Sequence, residues 1–363
     1  MATLSRLIFY PLLILFFLGK LFPFIDIFIV LLAITNLFSQ KNFKIKNKYL
    51  LIFALIAIIS NLLYFNIIAW LYLLRLLSLL SLLIFPPQFD HFQHKFLNII
   101  LFSNIIFGFI QYFTWPDFTI MSSQNWDPHL YRLVSTYFDP TFTGLIFLFI
   151  LVYFYFYSST FLSAQLSILG YLFIYIAIAL TYSRSTFLTF IIVFSYISYI
   201  KKNKKIFIYS LIIFLSTLII LPRMPGEGTK LERTSSFYAK IANYQQGLKI
   251  FINHPITGIG YNNIPLLNHQ NTQSHANSGF DGSLLTIAIT TGILGLTLLI
   301  LGVNYEFKNA SLFYQSLLLA IFIHSLFANS LFYPYTFLLL SIFKSIYPVA
   351  TPLGKYPPSK TQK

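Results

Sequence analysis

The chain is built from apolar runs. Along most of its 363 residues, stretches of mainly Leu, Ile, Phe and Tyr recur, broken by short polar or Gly/Pro punctuation. Crossing the hydrocarbon of a bilayer takes about 20 apolar residues per helix, and twelve runs come near that length: 4–18, 24–39, 49–65, 67–85, 96–114, 141–157, 164–182, 186–200, 206–221, 281–301, 312–331 and 335–349. Gly19-Lys20 separates the first two runs, which would also make one long tilted helix with a break. Barrel strands would be shorter and would alternate apolar with polar residues, and these runs do not. Composition agrees, since 9% of residues are charged against roughly 25% in soluble domains. The expected fold is therefore an all-α polytopic membrane protein, a single integral-membrane domain over 1–363 with about twelve transmembrane helices. The first run lacks a small-residue cleavage site, so it reads as a span and not as a signal peptide. With no cysteine, disulfides, thiolate metal sites and cysteine nucleophiles are excluded.

Orientation follows from Lys and Arg. With the N-terminus inside, 15 of the 24 fall on the cytoplasmic side and 8 outside, with Arg75 inside a span. Lysine clusters 41–48 and 201–205 both land inside, as does the tail 350–363. Much of the +15 charge is thus an orientation signal, and nucleic acid is not an expected partner. Two sizeable loops then face outward, 115–140 and 222–280. Polar chemistry should sit there and in the helix ends beneath.

The first loop carries Arg132 and Asp139, which would make a surface ion pair, and Asp139-Pro140, which suits a helix N-cap followed by a first-turn proline. Trp115, Trp126 and Tyr131 fit an interfacial aromatic belt. Arg184, between Ser183 and Ser185, either snorkels to lipid phosphate or grips a phosphate ligand bidentately, with the flanking hydroxyls as further donors. In the second loop, Phe237, Ile241, Tyr244, Leu248 and Phe251 form an amphipathic helical stripe, expected to lie along the outer membrane boundary with Lys240 and Lys249 facing away. Arg233, one turn before Phe237, would point beneath that helix or pair with Glu232 or a headgroup. Gly258-Ile259-Gly260 reads as a tight turn, since it follows no strand and lacks the third glycine of a dinucleotide site. His254, His269 and His275 offer no HxxxH pair and no thiolate support, so no metal is expected. A neutral histidine at the mouth of a polar cavity would serve as a general base.

Arg132 with Phe138-Asp139-Pro140, Ser183-Arg184-Ser185, His254-Pro255-Ile256-Thr257-Gly258-Ile259-Gly260, His275 and Thr291-Gly292-Ile293-Leu294-Gly295 follow one another in order. In this the chain resembles the bacterial O-antigen ligase/polymerase family, integral-membrane glycosyltransferases that use polyprenyl-diphosphate-linked glycans. The resemblance implies a bacterial cytoplasmic (inner) membrane protein with its site facing outward. It implies a polyprenyl-diphosphate-linked oligosaccharide donor, a glycan acceptor, and neither metal nor cofactor. Carried over, Arg184 and Arg233 would hold the diphosphate, with Arg132 or Arg223 assisting. His275 would be the base, with His269 as the other choice because Ala276 separates His275 from Asn277. Asp281 or Ser283 would orient its ring. Polymerase is the leading expectation, ligase the alternative. A transporter is a second alternative, for which Arg75 and His324 are the only basic and imidazole groups deep in the spans.

Overall fold

The computed structural model describes residues 2–40, 45–64, 66–88, 90–124, 128–160, 162–267 and 279–346. Among them the protein is helical throughout, with one isolated bridge, Asp117 to Leu130, in place of any sheet. Each predicted apolar run forms a helix: α1 (Ala2–Leu18), α2 (Ile25–Ser39), α3 (Lys48–Leu63), α4 (Ile67–Ile84), α5 (His91–Thr114), α6 (Pro140–Tyr157), α7 (Ala164–Ala179), α8 (Arg184–Ile200), α9 (Lys204–Ile220), and then α12 (Ser283–Lys308), α13 (Leu312–His324) and α14 (Pro334–Ile346). Between α9 and α12 lie α10 (Ser235–Asn253) and the single turn α11 (Ile264–Leu267). By length and composition four helices suffice to cross a membrane: α4, the Phe92–Thr114 part of α5, α6 and α12. Most of the other apolar helices run 13 to 17 residues.

Short connections force successive helices antiparallel, so the chain alternates between two ends of a bundle. Central to it is α6, whose residues Thr143 to Phe154 are all buried, packed among α7, α8, α13 and α14. Its start is fixed as the sequence suggests: Asp139 accepts from Thr141 N (2.6 Å) and Phe142 N (3.2 Å), with Pro140 in the first turn. Gly19, at φ +57°, divides α1 from α2, settling the first pair as two helices. At the end away from the site, buried Glu306 accepts from Asn47 and pairs with Lys344 at 2.5 Å, joining α12, α14 and the start of α3.

Two expectations change. The run 312–331 stops as helix at His324, and residues 325–333 double back to face the site. Within α12, Gly292 adopts φ +68° and ψ −171°, so this long span is interrupted and not continuous. The turn 255–260 crosses the break: Ile259 N donates to Ile289 O (3.0 Å), Gly260 N to Thr290 O (3.0 Å), and Ile293 N to Pro255 O (2.8 Å). Backbone groups freed by the interruption thereby find partners, without which broken helices in apolar surroundings are costly. Glycine is required on both sides of the crossing, because a Cβ on Gly292 would stand 2.0 Å from Ile256 O and one on Gly258 2.4 Å from Thr290 C.

Candidate active site

A cavity of about 690 Å³ opens at the end of the bundle where the connections after α1, α5, α7, α9 and α13 converge. The predicted residues Arg132, Ser183, Arg184, Ser185, Arg233 and Asp281 all line it. Left-handed backbone at non-glycine residues sets several of these in place. Tyr131 (φ 51°) precedes Arg132, Phe138 (φ 58°) precedes Asp139, and Tyr182 (φ 50°) precedes Ser183 and Arg184. Such conformations cost of order 1–3 kcal/mol each and persist only where the surroundings hold them. Here Tyr182, 1% exposed, donates its hydroxyl to Pro222 O at 2.6 Å. Leu133 N donates to Leu180 O, and Arg132 Nε to Thr181 O, so the 131–133 and 180–182 segments fix one another.

Arg184 opens α8, where Ser183 caps the helix by accepting from Thr186 N. Its guanidinium reaches across to the following loop, donating to Arg233 O (2.7 Å), Leu231 O (3.3 Å) and Ser236 Oγ (2.6 Å). Arg233 in turn donates to Gly228 O (2.7 Å) and Lys230 O (2.9 Å). Arg132, 8% exposed, lies beneath Gly228, whose missing side chain makes room for it. The expected Arg132–Asp139 surface ion pair is replaced by this buried placement against Thr181. Burial, with Arg233 and Arg184 nearby and Asp139 opposing them, pushes the Arg132 guanidinium down to about 9. Burial and then Arg184 lower Arg233 too, against the pull of Glu227. Three guanidiniums gathered without a carboxylate partner among the described residues make a site that an anion would stabilise.

Lys240 corrects another expectation. It faces the protein, not away, bonding Asp281 (3.1 Å) and Phe327 O (2.6 Å). The face of α10 that meets α12 carries Lys240, Tyr244, Gly247 and Phe251, while Phe237, Ile241, Leu248 and Ile252 stand exposed. Lys249 is exposed as expected. Asp281 is thus occupied by Lys240, and the Ser283 hydroxyl accepts from Leu331 N. Arg223 is exposed just after α9 and does not line the cavity. Neither does His254, whose ring meets the ring of Tyr64 edge-on. His269 and His275 lie outside the described residues, as does Trp126. Among the described residues no group of three potential metal ligands occurs.

The sequence reading did not place Lys20, Arg75 or His129 at this site, and all three line the cavity. Arg75 pairs with Asp26 at 3.0 Å. Its signal was available, since an ionisable group within an apolar span is a functional candidate by default. Another buried polar feature is His324, whose Nε2 lies 3.1 Å from Ser185 Oγ and whose Nδ1 lies 2.6 Å from Ser330 Oγ.

Residues 168–300 match the family model described as O-antigen ligase. Over this segment the chain is similar to that family, and the match supports the resemblance carried by the sequence motifs. The comparison with curated proteins gives no match. The matched segment carries Arg184, Arg233, Lys240 and Asp281 together with the interrupted α12. The match and the apolar helices agree in supporting a membrane protein.

Proposed function

We propose that the protein transfers an oligosaccharide from a polyprenyl diphosphate to a sugar hydroxyl at the outer face of the bacterial cytoplasmic membrane, and that it acts as a surface-polysaccharide polymerase. The observation that carries this reading is the convergence of Arg132, Arg184 and Arg233 on one cavity. In the reaction, the acceptor oxygen bonds to the anomeric carbon while the bond from that carbon to the diphosphate oxygen breaks. The electron pair leaves on the diphosphate, where guanidiniums aimed at the growing charge lower the barrier. The acceptor proton passes to a base, for which His275 is the proposed group and His269 the second choice. A diphosphate is already an activated leaving group, so neither cofactor nor metal is invoked.

The description of the matched family favours a second reading, a ligase that attaches finished glycan to lipid A core or protein. A deletion strain separates the two: core bearing a single repeat means lost polymerase, whereas unattached long chains mean lost ligase. Proteoliposomes with purified lipid-linked oligosaccharide test transfer itself. Elongated product without a gradient supports the enzyme, and movement of unchanged substrate supports a transporter instead. In the same assay His275→Ala should lower turnover by about 10²–10⁴, the usual worth of a general base, and chelators should have no effect. Full activity in both His275→Ala and His269→Ala would remove histidine from the proton's path.

A further inference from the structure

The cavity has two unlike halves. One holds Arg132, Arg184 and Arg233, cations in excess. In the other, Lys20 and Arg75 line the wall with Asp139, and Asp26, outside the lining, pairs with Arg75, so the charges balance. This second half is also lined with rings. The Arg75 guanidinium lies 4.5 Å from the Tyr72 ring centre and the Lys20 ammonium 5.8 Å from that of Tyr333. Phe142 stacks on Tyr333 with centroids 4.1 Å apart and planes at 5°. Asp139 stands at the junction, acting electrostatically on Lys20 in one half and on Arg132 in the other.

These halves suit different chemistries. A diphosphate is stabilised where cations exceed carboxylates. A sugar ring is largely uncharged, offers hydroxyls that need donors and acceptors side by side, and packs its C–H face on aromatic surface. Cation–carboxylate pairs among tyrosines supply those features together. The division follows the family match in part. Arg184 and Arg233 fall inside 168–300, whereas Arg132 falls outside it, together with Lys20, Tyr72, Arg75, Asp139 and Tyr333. Two of the three arginines thus sit in the matched segment, and the ring-lined half is built from residues outside it.

We infer that the half of the cavity formed by Lys20, Tyr72, Arg75, Asp139, Phe142 and Tyr333 is a sugar subsite that holds the acceptor glycan with its hydroxyl turned toward the arginines. The acceptor role rests on the glycosyl-transfer reading, whereas sugar binding can be tested without it. The probes are inorganic diphosphate and a single-repeat oligosaccharide released by mild acid from the producing organism's own surface glycan. Binding of each is measured by calorimetry on the full chain in nanodiscs. Tyr72→Leu should weaken oligosaccharide binding at least tenfold and leave diphosphate binding within twofold, while Tyr72→Phe, which keeps the ring, stays near wild type. Arg75→Gln should behave as Tyr72→Leu does. Should the loss of its pair with Asp26 prevent folding, the two Tyr72 variants still decide the matter. Saturating diphosphate should not displace the oligosaccharide. Unchanged sugar affinity in Tyr72→Leu, or competitive displacement by diphosphate, overturns the subsite. Kinetics then identify the sugar's source. A raised acceptor KM with unchanged donor KM supports the acceptor role, and the reverse assigns the rings to the donor sugar and overturns it. A wild-type chain that binds the oligosaccharide in a Tyr72-dependent way yet transfers nothing refutes the transferase reading and leaves the sugar subsite standing.

Discussion

A guanidinium has five N–H donors, and among the described residues Arg184 directs donations to Leu231 O, Arg233 O and Ser236 Oγ. This side chain therefore both faces the cavity and holds in place the loop that brings Arg233 there. Lysine keeps the charge but not the planar fork. Arg184→Lys should accordingly lower kcat/KM by roughly 10- to 100-fold, the worth of one or two charge-assisted hydrogen bonds. It should also make the 226–236 loop easier to cleave by protease. Wild-type turnover with an unaltered digest would show that neither role needs the fork. Arg132 carries a pH signature. Its guanidinium is held down at about 9 by burial and by its two neighbours. In the ligand-free protein its charge is present below that pH and is lost as pH rises through it, so binding of inorganic diphosphate should weaken between pH 8 and 10. The sign for folding is opposite: a depressed base binds fewer protons folded than unfolded, so Arg132 lowers stability at neutral pH, and that penalty shrinks as pH rises from about 9 toward the ordinary arginine range. In Arg132→Gln diphosphate should bind more weakly throughout, without that step. A step that persists in the variant would belong to another group. The sequence exposed these arginines because an apolar chain has few reasons to keep a guanidinium between helices. Arg75 and Lys20 carried the same signal, but only the packing of α1, α2 and α4 shows that they share a cavity with the others.

At the scale of elements, α12 depends on a glycine the sequence placed inside a span without announcing a break. Gly292 takes φ +68° with the Ile256 carbonyl against it. Gly292→Ala would impose of order 1–3 kcal/mol from the backbone conformation, and the clash with another backbone segment adds to it. The expected outcome is a lower unfolding temperature in detergent, with activity falling more steeply because 255–260 leads into the cavity at Tyr261 and Asn262. An unchanged unfolding temperature would mean that the break is not needed for the fold. Helix α10 shows the limit of reading a stripe. Five apolar residues at helical spacing located the helix well, but they did not set its rotation. Packing on α12 is decided by where a side chain is small and where it can hydrogen-bond. Gly247 meets Leu285 and Ile289, and the Tyr244 hydroxyl donates to Leu326 O at 2.6 Å. That rotation turns Lys240 inward to Asp281.

For the whole molecule, the apolar runs and their breaks were legible because hydrocarbon imposes a length on every helix and leaves few alternatives. The gathering of distant loops at one end was legible only as alternation, since no local pattern says which loops touch. Alternation makes a direct prediction about sidedness. Helix α9, about 25 Å long at 1.5 Å per residue, separates Lys202 from Glu227. The chain has no cysteine, so single cysteines at these two sites report cleanly. In intact cells a membrane-impermeant maleimide should label Glu227→Cys and spare Lys202→Cys until the membrane is opened. Equal labelling of both before opening would invert or abolish the assigned topology, and the outward site with it.

The cavity wall begins at Lys20 and ends at Tyr333. During synthesis, at about 5–20 residues per second, the first wall residue leaves the ribosome some 15–60 s before the last. For roughly the last third of that interval, from Arg233 to Tyr333, the three arginines would stand together in an incomplete chamber. Until 325–333 arrives, Lys240 lacks the Phe327 carbonyl, Ser283 the Leu331 amide and Phe142 the ring of Tyr333. A nascent chain halted before that point would be inserted and basic while its cavity wall stayed open, so the chamber closes only once Tyr333 has been made.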